Sequence, residues 1–169
     1  MVFFWYVQKQ EGNLPMAIRV EKKRDLSCIK LICRSDDMIG DTEGYPEYLK
    51  SLDESVLKLK GEPTYLILNF QLKGRDTEAI KNSMIKGTDT EGNPTITLGS
   101  WQNAVARLTL KGIQNPSDMP LNDQVVWREK DGKPTDDVLG LLDRCGAIGD
   151  IFAAYQAQVL TPTKAEAKN

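Results

Sequence analysis

Apolar residues along this chain switch between the two-residue period of strands and the 3.6-residue period of helices, with glycine, proline and aspartate at the switches. Residues 17–20 and 26–33 are β-leaning runs separated by Glu21-Lys22-Lys23-Arg24-Asp25, which predicts a hairpin with a charged loop. In the second run Ile29, Leu31 and Cys33 fall on one face, and Cys28, Lys30 and Ile32 on the other. Residues 35–46 form a turn-rich connector. Tyr45, Tyr48, Leu49, Leu52, Val56 and Leu59 then recur at helical spacing, which predicts an amphipathic helix that stops at Gly61. The strongest strand signal is Thr64-Tyr65-Leu66-Ile67-Leu68-Asn69-Phe70-Gln71-Leu72. It is apolar on both faces and bracketed by Pro63 and Gly74, so it should be central in a sheet.

Beyond it a short helix is expected over residues 77–85, capped by Thr77, with Ala79, Ile80 and Met84 facing inward. Residues 87–94 read as a polar loop. Ser100 caps a helix over 101–111, with Trp101, Val105 and Leu108 on one face and Gly112 at its end. Residues 115–122 read as loop and 124–128 as a short strand, and Asp131-Gly132 as a tight turn. Thr135 caps a helix through Arg144, Gly146 interrupts it, and a second helical run covers 147–160. The tail 161–169 is polar and expected to fray. The pattern as a whole predicts one α+β domain over residues 1–160, a small N-terminal antiparallel sheet or hairpin packed with C-terminal helices.

The opening Met1-Val2-Phe3-Phe4-Trp5-Tyr6-Val7 is apolar but turns polar at Gln8, too early for a signal peptide or a membrane span. Residues 1–15 are an edge strand or an extension, and Met16-Ala17-Ile18-Arg19-Val20 reads equally well as a translation start. One internal echo stands out: Met38-Ile39-Gly40-Asp41-Thr42-Glu43-Gly44 against Met84-Ile85 and Asp89-Thr90-Glu91-Gly92. Two turns built from similar residues explain it more simply than duplication.

Composition narrows the chemistry. Of 169 residues 40% are apolar and 27% charged, and 22 basic against 24 acidic residues leave a net charge of −2. No general field favours nucleic acid or an anionic membrane, and neither is expected as a partner. Cys28, Cys33 and Cys145 are odd in number and irregularly spaced. That suits small buried hydrophobes in a reducing compartment better than a disulfide framework. Histidine is absent, which removes Ser-His-Asp and Cys-His systems, histidine general bases and nearly every catalytic zinc arrangement. No phosphate loop, dinucleotide turn or nucleophile elbow is present. Asp36-Asp37 and Asp136-Asp137 could do acid–base work, but a turn explains the first pair and the positive end of a helix dipole the second. No catalytic, cofactor or metal residue is assigned, and the chain is read as a non-enzyme.

The residues suited to contact instead are aromatic and apolar. Trp101 opens an amphipathic helix and belongs to a core. Trp127 flanks Arg128-Glu129-Lys130 and is a candidate interface residue, as exposed aromatics often are. Ile148, Ile151, Phe152, Tyr155 and Val159 form a stripe along residues 147–160 and are the candidate partner-binding face; packing into the chain's own core is the commoner fate of such a stripe.

Residues 64–169 also carry a family likeness. The run Tyr65 to Leu72, the polar helix after it, Leu110-Lys111-Gly112-Ile113-Gln114-Asn115, Val125-Val126-Trp127, the turn Asp131-Gly132-Lys133-Pro134-Thr135 and the ending Lys168-Asn169 follow in that order. This part of the chain resembles the tail assembly chaperones of long-tailed bacteriophages. The resemblance implies a non-enzymatic protein of the host cytoplasm that binds the tape-measure protein and tail-tube subunits and self-associates. The alternative is a structural virion component, a tail-tube or head–tail joining protein, whose β-rich half would form intersubunit sheet.

Overall fold

The strongest strand signal becomes the middle of the sheet. In the computed structural model, which describes residues 25–114 and 127–160, the elements run β1 (Ile29–Ile32), α1 (Tyr45–Ser51), a 3-10 turn (Glu54–Val56), β2 (Tyr65–Leu68), α2 (Gly74–Met84), β3 (Ile85–Thr88), β4 (Pro94–Ile96), α3 (Leu98–Thr109), β5 (Leu110–Gln114), β6 (Glu129–Lys130), β7 (Lys133–Pro134), α4 (Asp136–Arg144), α5 (Ala147–Tyr155) and a π-helical turn (Gln156–Leu160). β2 pairs antiparallel with β1 on one side and β5 on the other, and two separate ribbons pair β3 with β4 and β6 with β7. The class is α+β, as the pattern predicted.

Register explains which face is buried. Ile29 lies opposite Leu68, Leu31 opposite Leu66, and Leu68 opposite Leu110. The two-residue period therefore puts these five side chains on one face, and all five are buried. Each contributes about 2 kcal/mol by leaving water. They join one apolar cluster with Val105 and Leu108 of α3, Val138 and Leu142 of α4, and Ile148, Ile151 and Phe152 of α5. The opposite face is more open. Tyr65 and Ile67 are half-buried, and the Lys30 ammonium stands 5.2 Å from the Tyr65 ring centroid. The two-sided burial expected of this segment is thus only partial.

The outer edge of β1 has no strand beside it among the described residues, yet its backbone is hydrogen-bonded. The Ile32 N–H donates to the Tyr48 hydroxyl at 2.9 Å, and that hydroxyl donates to the Lys30 carbonyl at 3.3 Å. The Tyr45 hydroxyl donates to the Ile32 carbonyl at 2.8 Å. Ile29 and Leu31 face β2, so the outward groups belong to Lys30 and Ile32, and two tyrosines on α1 meet them. Both rings are buried, 5.7 Å apart at their centroids. Burial, first of all, raises the ionisation of both hydroxyls far above the ordinary tyrosine range, so they remain donors at any working pH. This closes an edge that would otherwise template another strand.

α1 is shorter than its apolar period suggests. The helix expected through Leu59 ends at Ser51, because Leu52 takes a left-handed conformation with φ 52° and its N–H bonds the Tyr48 carbonyl at 2.6 Å. Asp53 then accepts the Ser55 N–H at 2.9 Å and starts the 3-10 turn. Gly44, at the other end of α1, packs so closely on this turn that a Cβ there would sit 2.3 Å from the Val56 carbonyl oxygen. The C-terminal turn holds α1 from its far end, where the Gln158 amide donates to the Leu49 and Lys50 carbonyls at 2.7 and 2.9 Å.

Three other boundaries moved. α2 starts at Gly74 instead of Thr77, whose hydroxyl bonds back to the Lys73 carbonyl inside the helix at 3.3 Å; Ile80 is buried, but Ala79 is exposed. α3 starts at Leu98, with neither Ser100 nor Thr97 supplying a side-chain cap. It ends by passing straight into β5 at Leu110, two residues before Gly112. The segment 87–94, expected as loop, holds most of the β3–β4 hairpin, turned by Asp89, whose Oδ1 accepts the N–H groups of Glu91 and Asn93 at 2.9 and 2.8 Å. Asp41 accepts the Glu43 N–H in the same way at 3.0 Å, so the echo between the segments is one local aspartate turn used in two settings.

The C-terminal punctuation is as expected: Asp131 and Gly132 take φ 55° and 70° in the β6–β7 turn, and Gly146, at φ 75°, turns the corner between α4 and α5. Thr135 does sit at the start of α4, but its hydroxyl makes no capping bond. Outside the described residues lie the N-terminal apolar run with Trp5, the strand over 17–20 with its basic loop, the loop over 115–122, most of the strand over 124–128, and the tail.

Removing the Tyr48 hydroxyl leaves the buried Ile32 N–H without an acceptor. We expect Tyr48→Phe to cost about 1–3 kcal/mol in urea unfolding. Tyr45→Phe should cost about 1 kcal/mol or more, since the Ile32 carbonyl loses its donor and the Asp150 carboxylate loses the hydroxyl beside it.

Candidate protein-binding surface

The stripe expected to face a partner faces inward. Ile148, Ile151, Phe152 and Tyr155 are 2%, 0%, 4% and 5% exposed. Phe152 meets the Trp101 ring edge-on at 4.6 Å, and Tyr155 meets Phe70 edge-on at 5.5 Å. The physical reason is that α5 is apolar nearly all round, with Ala147 and Ala154 buried as well, and it packs mainly against α3 and α4. These four side chains therefore build the core and offer no surface to a partner. Of the six candidates, Val159 reaches solvent at 39%, and Trp127 is half-buried against the core with its indole N–H 3.4 Å from Glu129.

Among the described residues, the large apolar side chains that reach solvent lie at the ends of helices. Ile85 and Leu98 are 58% and 53% exposed. Ile85 begins β3 directly after α2, Leu98 begins α3 one residue after β4, and the Thr97 N–H between them donates to the Met84 carbonyl at 3.1 Å, which brings the two junctions together. Val159 and Leu160, at 39% and 48%, end the π-helical turn. Sequence reasoning missed Ile85 and Leu98 because Met84 and Ile85 read as a helix end. The Asp89-Thr90-Glu91-Gly92-Asn93 turn signal between Ile85 and Ile96 was the clue to a hairpin.

A second feature is an open cleft of about 560 Å³ between the β6–β7 turn and the first turn of α4. Arg107, Lys130 and Lys133 line it together with Asp131, Asp136 and Asp137. Arg107 is already paired with Asp136, so the remaining charges of both signs balance. The Thr135 hydroxyl oxygen beside it is buried with no hydrogen-bond partner among the described residues. Of the carboxylate pair at 36–37, Asp36 is buried and accepts the Met38 and Thr64 N–H groups, each at 2.8 Å, so both its oxygens hold backbone in place. Among the described residues, no three His, Cys, Asp or Glu side chains gather as metal ligands, and no helix is long and apolar enough to cross a membrane.

Asp150, in the first turn of α5, joins the helices to the sheet. Its Oδ2 accepts the Arg34 N–H at 2.8 Å, just past the end of β1, and its carboxylate lies against the Tyr45 hydroxyl. Burial raises its pKa above the ordinary carboxylate value, against the lowering effects of the Arg34 N–H, the Tyr45 hydroxyl and the Arg34 charge.

No protein-family model, no curated protein and no solved structure matches this chain.

Because the Asp150 carboxyl binds its proton more tightly in the folded state, the stability it contributes is full below about pH 4 and is lost as pH rises through the folded pKa. An asparagine keeps an oxygen for the Arg34 N–H and carries no charge. The difference in unfolding free energy between Asp150→Asn and the parent should therefore shift in favour of the variant between pH 3.5 and pH 7. Parallel urea titrations at the two pH values check this.

Proposed function

We propose that this chain is a non-enzymatic protein-binding assembly factor of the tail assembly chaperone kind that residues 64–169 resemble. In this reading it acts in the host cytoplasm, binds the tape-measure protein and tail-tube subunits, and self-associates. Its contacts are made by the apolar side chains at helix ends, Ile85 and Leu98 at one junction and Val159 and Leu160 at the other. The observation that carries the reading is the 58% and 53% exposure of Ile85 and Leu98, two large apolar side chains at adjoining junctions. A chaperone for long apolar helices needs accessible apolar groups on an otherwise charged surface, and a histidine-free sequence suits binding better than acid–base chemistry.

One observation favours the second reading, a structural virion component. The β3–β4 hairpin is a two-stranded ribbon with no third strand among the described residues, and Ile85 on it is exposed. Such a ribbon is marginal alone and gains stability when a neighbouring subunit extends it.

Co-expression with the tape-measure protein of the same tail separates the readings. The chaperone keeps that partner soluble, co-purifies with it and is absent from purified particles. Ile85→Lys with Leu98→Lys should weaken capture about tenfold or more while leaving the unfolding midpoint within about 0.5 kcal/mol of the parent. Retention in purified particles selects the virion component instead, and loss of neither capture nor solubility in the double variant removes these residues from the contact.

A further inference from the structure

We infer that Cys33 and Cys145 are partners in a reversible disulfide that staples the end of β1 to the corner between α4 and α5. Cys33 directly follows β1, and Cys145 directly follows α4. The two residues after Cys33 bind the segment that carries Cys145. The Ser35 hydroxyl donates to the Cys145 carbonyl itself at 2.8 Å, and the Arg34 N–H donates to Asp150 of α5 at 2.8 Å. The Asp36 N–H donates back to the Cys33 carbonyl at 3.0 Å, which folds residues 33–36 into one tight turn and keeps Cys33 beside these contacts. A disulfide needs Cα atoms roughly 4.4–6.8 Å apart, and the single hydroxyl that bridges Ser35 to the Cys145 carbonyl brings the two segments into that neighbourhood. Burial first, and the nearby Asp150 and Asp36 carboxylates after it, raise the Cys33 thiol.

The environments assign an order to the chemistry. Cys33 is 3% exposed and held protonated by burial, whereas Cys145 is half-buried and open to a reagent. A small-molecule disulfide such as glutathione disulfide supplies the oxidising power. The Cys145 thiolate attacks one of its sulfurs, the reagent's S–S bond breaks, and one glutathione leaves and takes up the proton that Cys145 gave. Cys33 then loses its proton and attacks the Cys145 sulfur of the mixed disulfide, a second S–S bond breaks, and a second glutathione leaves as thiol. Two protein thiols are oxidised by two electrons and one glutathione disulfide is reduced to two thiols. The product closes a loop of roughly 110 residues, which stabilises the fold by restricting the unfolded chain. It holds β1 to the helices whether or not Asp150 is charged. Cys28, exposed just before β1, lies apart from this corner and is free to react alone.

The test uses the full chain with Cys28→Ser, equilibrated in glutathione redox buffers, quenched with iodoacetamide and analysed by intact mass and peptide mapping. The expected product has lost about 2 Da, carries a peptide linking Cys33 to Cys145, unfolds several degrees higher, and reverts with dithiothreitol. Adding Cys145→Ser should abolish both the mass loss and the thermal shift; its own unfolding midpoint in reductant shows whether it folds. Complete alkylation of Cys33 and Cys145 after denaturing the oxidised sample overturns the inference, and so does a glutathione adduct at Cys145 that never resolves.

Discussion

Two hydroxyl groups decide how this sheet ends. β1, at the edge of the three-stranded sheet among the described residues, would present unpaired N–H and C=O groups to solvent or to another chain. Tyr48 and Tyr45 take those groups instead, bonding Ile32 through both its N–H and its carbonyl and reaching Lys30 as well. A seven-residue helix thereby does the work of a fourth strand. Because α1 is too short to be stable by itself, its position depends on its neighbours. Gly44 fits it against the 3-10 turn, and Gln158 holds its last carbonyls from the other end of the chain. Asp150 completes the circuit by tying α5 to the residue after Cys33 and lying against Tyr45.

This arrangement constrains where a partner can bind. On the β1 edge the Ile32 N–H and carbonyl and the Lys30 carbonyl are already bonded, and the apolar face of α5 is spent on Trp101, Phe70 and the rest of the cluster. Among the described residues, the large apolar side chains left open lie at junctions, where α2 gives way to β3, where β4 gives way to α3, and where the last turn ends. Contact through a few side chains at element ends would ask little rearrangement of the core.

Much of the fold was legible in the sequence, and the failures have physical causes. Tyr65 to Leu68 announced a central strand, Asp131-Gly132 a tight turn and Gly146 a helix break, because these depend on local backbone preference and apolar density. β5 was hidden because Leu110-Lys111-Gly112-Ile113 continues the period of α3, and only pairing with β2 makes it a strand. The end of α1 was hidden for a similar reason: Val56 and Leu59 keep helical spacing while packing from a 3-10 turn and from the chain beyond it. Asp136 and Asp137 were correctly placed at a helix start, yet Thr135 makes no cap there. The candidate surface was the least legible. Periodicity finds an apolar stripe but does not say whether the chain itself covers it, and for Ile148, Ile151, Phe152 and Tyr155 the chain does.

The most direct measurement is the hydrogen exchange of the Ile32 amide, compared with that of Leu66 in the central strand. If the Tyr48 hydroxyl holds it, Ile32 N–H exchanges as slowly as Leu66 N–H, opening only when the sheet itself opens. Exchange of Ile32 at the rate of an exposed loop amide, while Leu66 stays protected, would contradict the closure of the edge by α1.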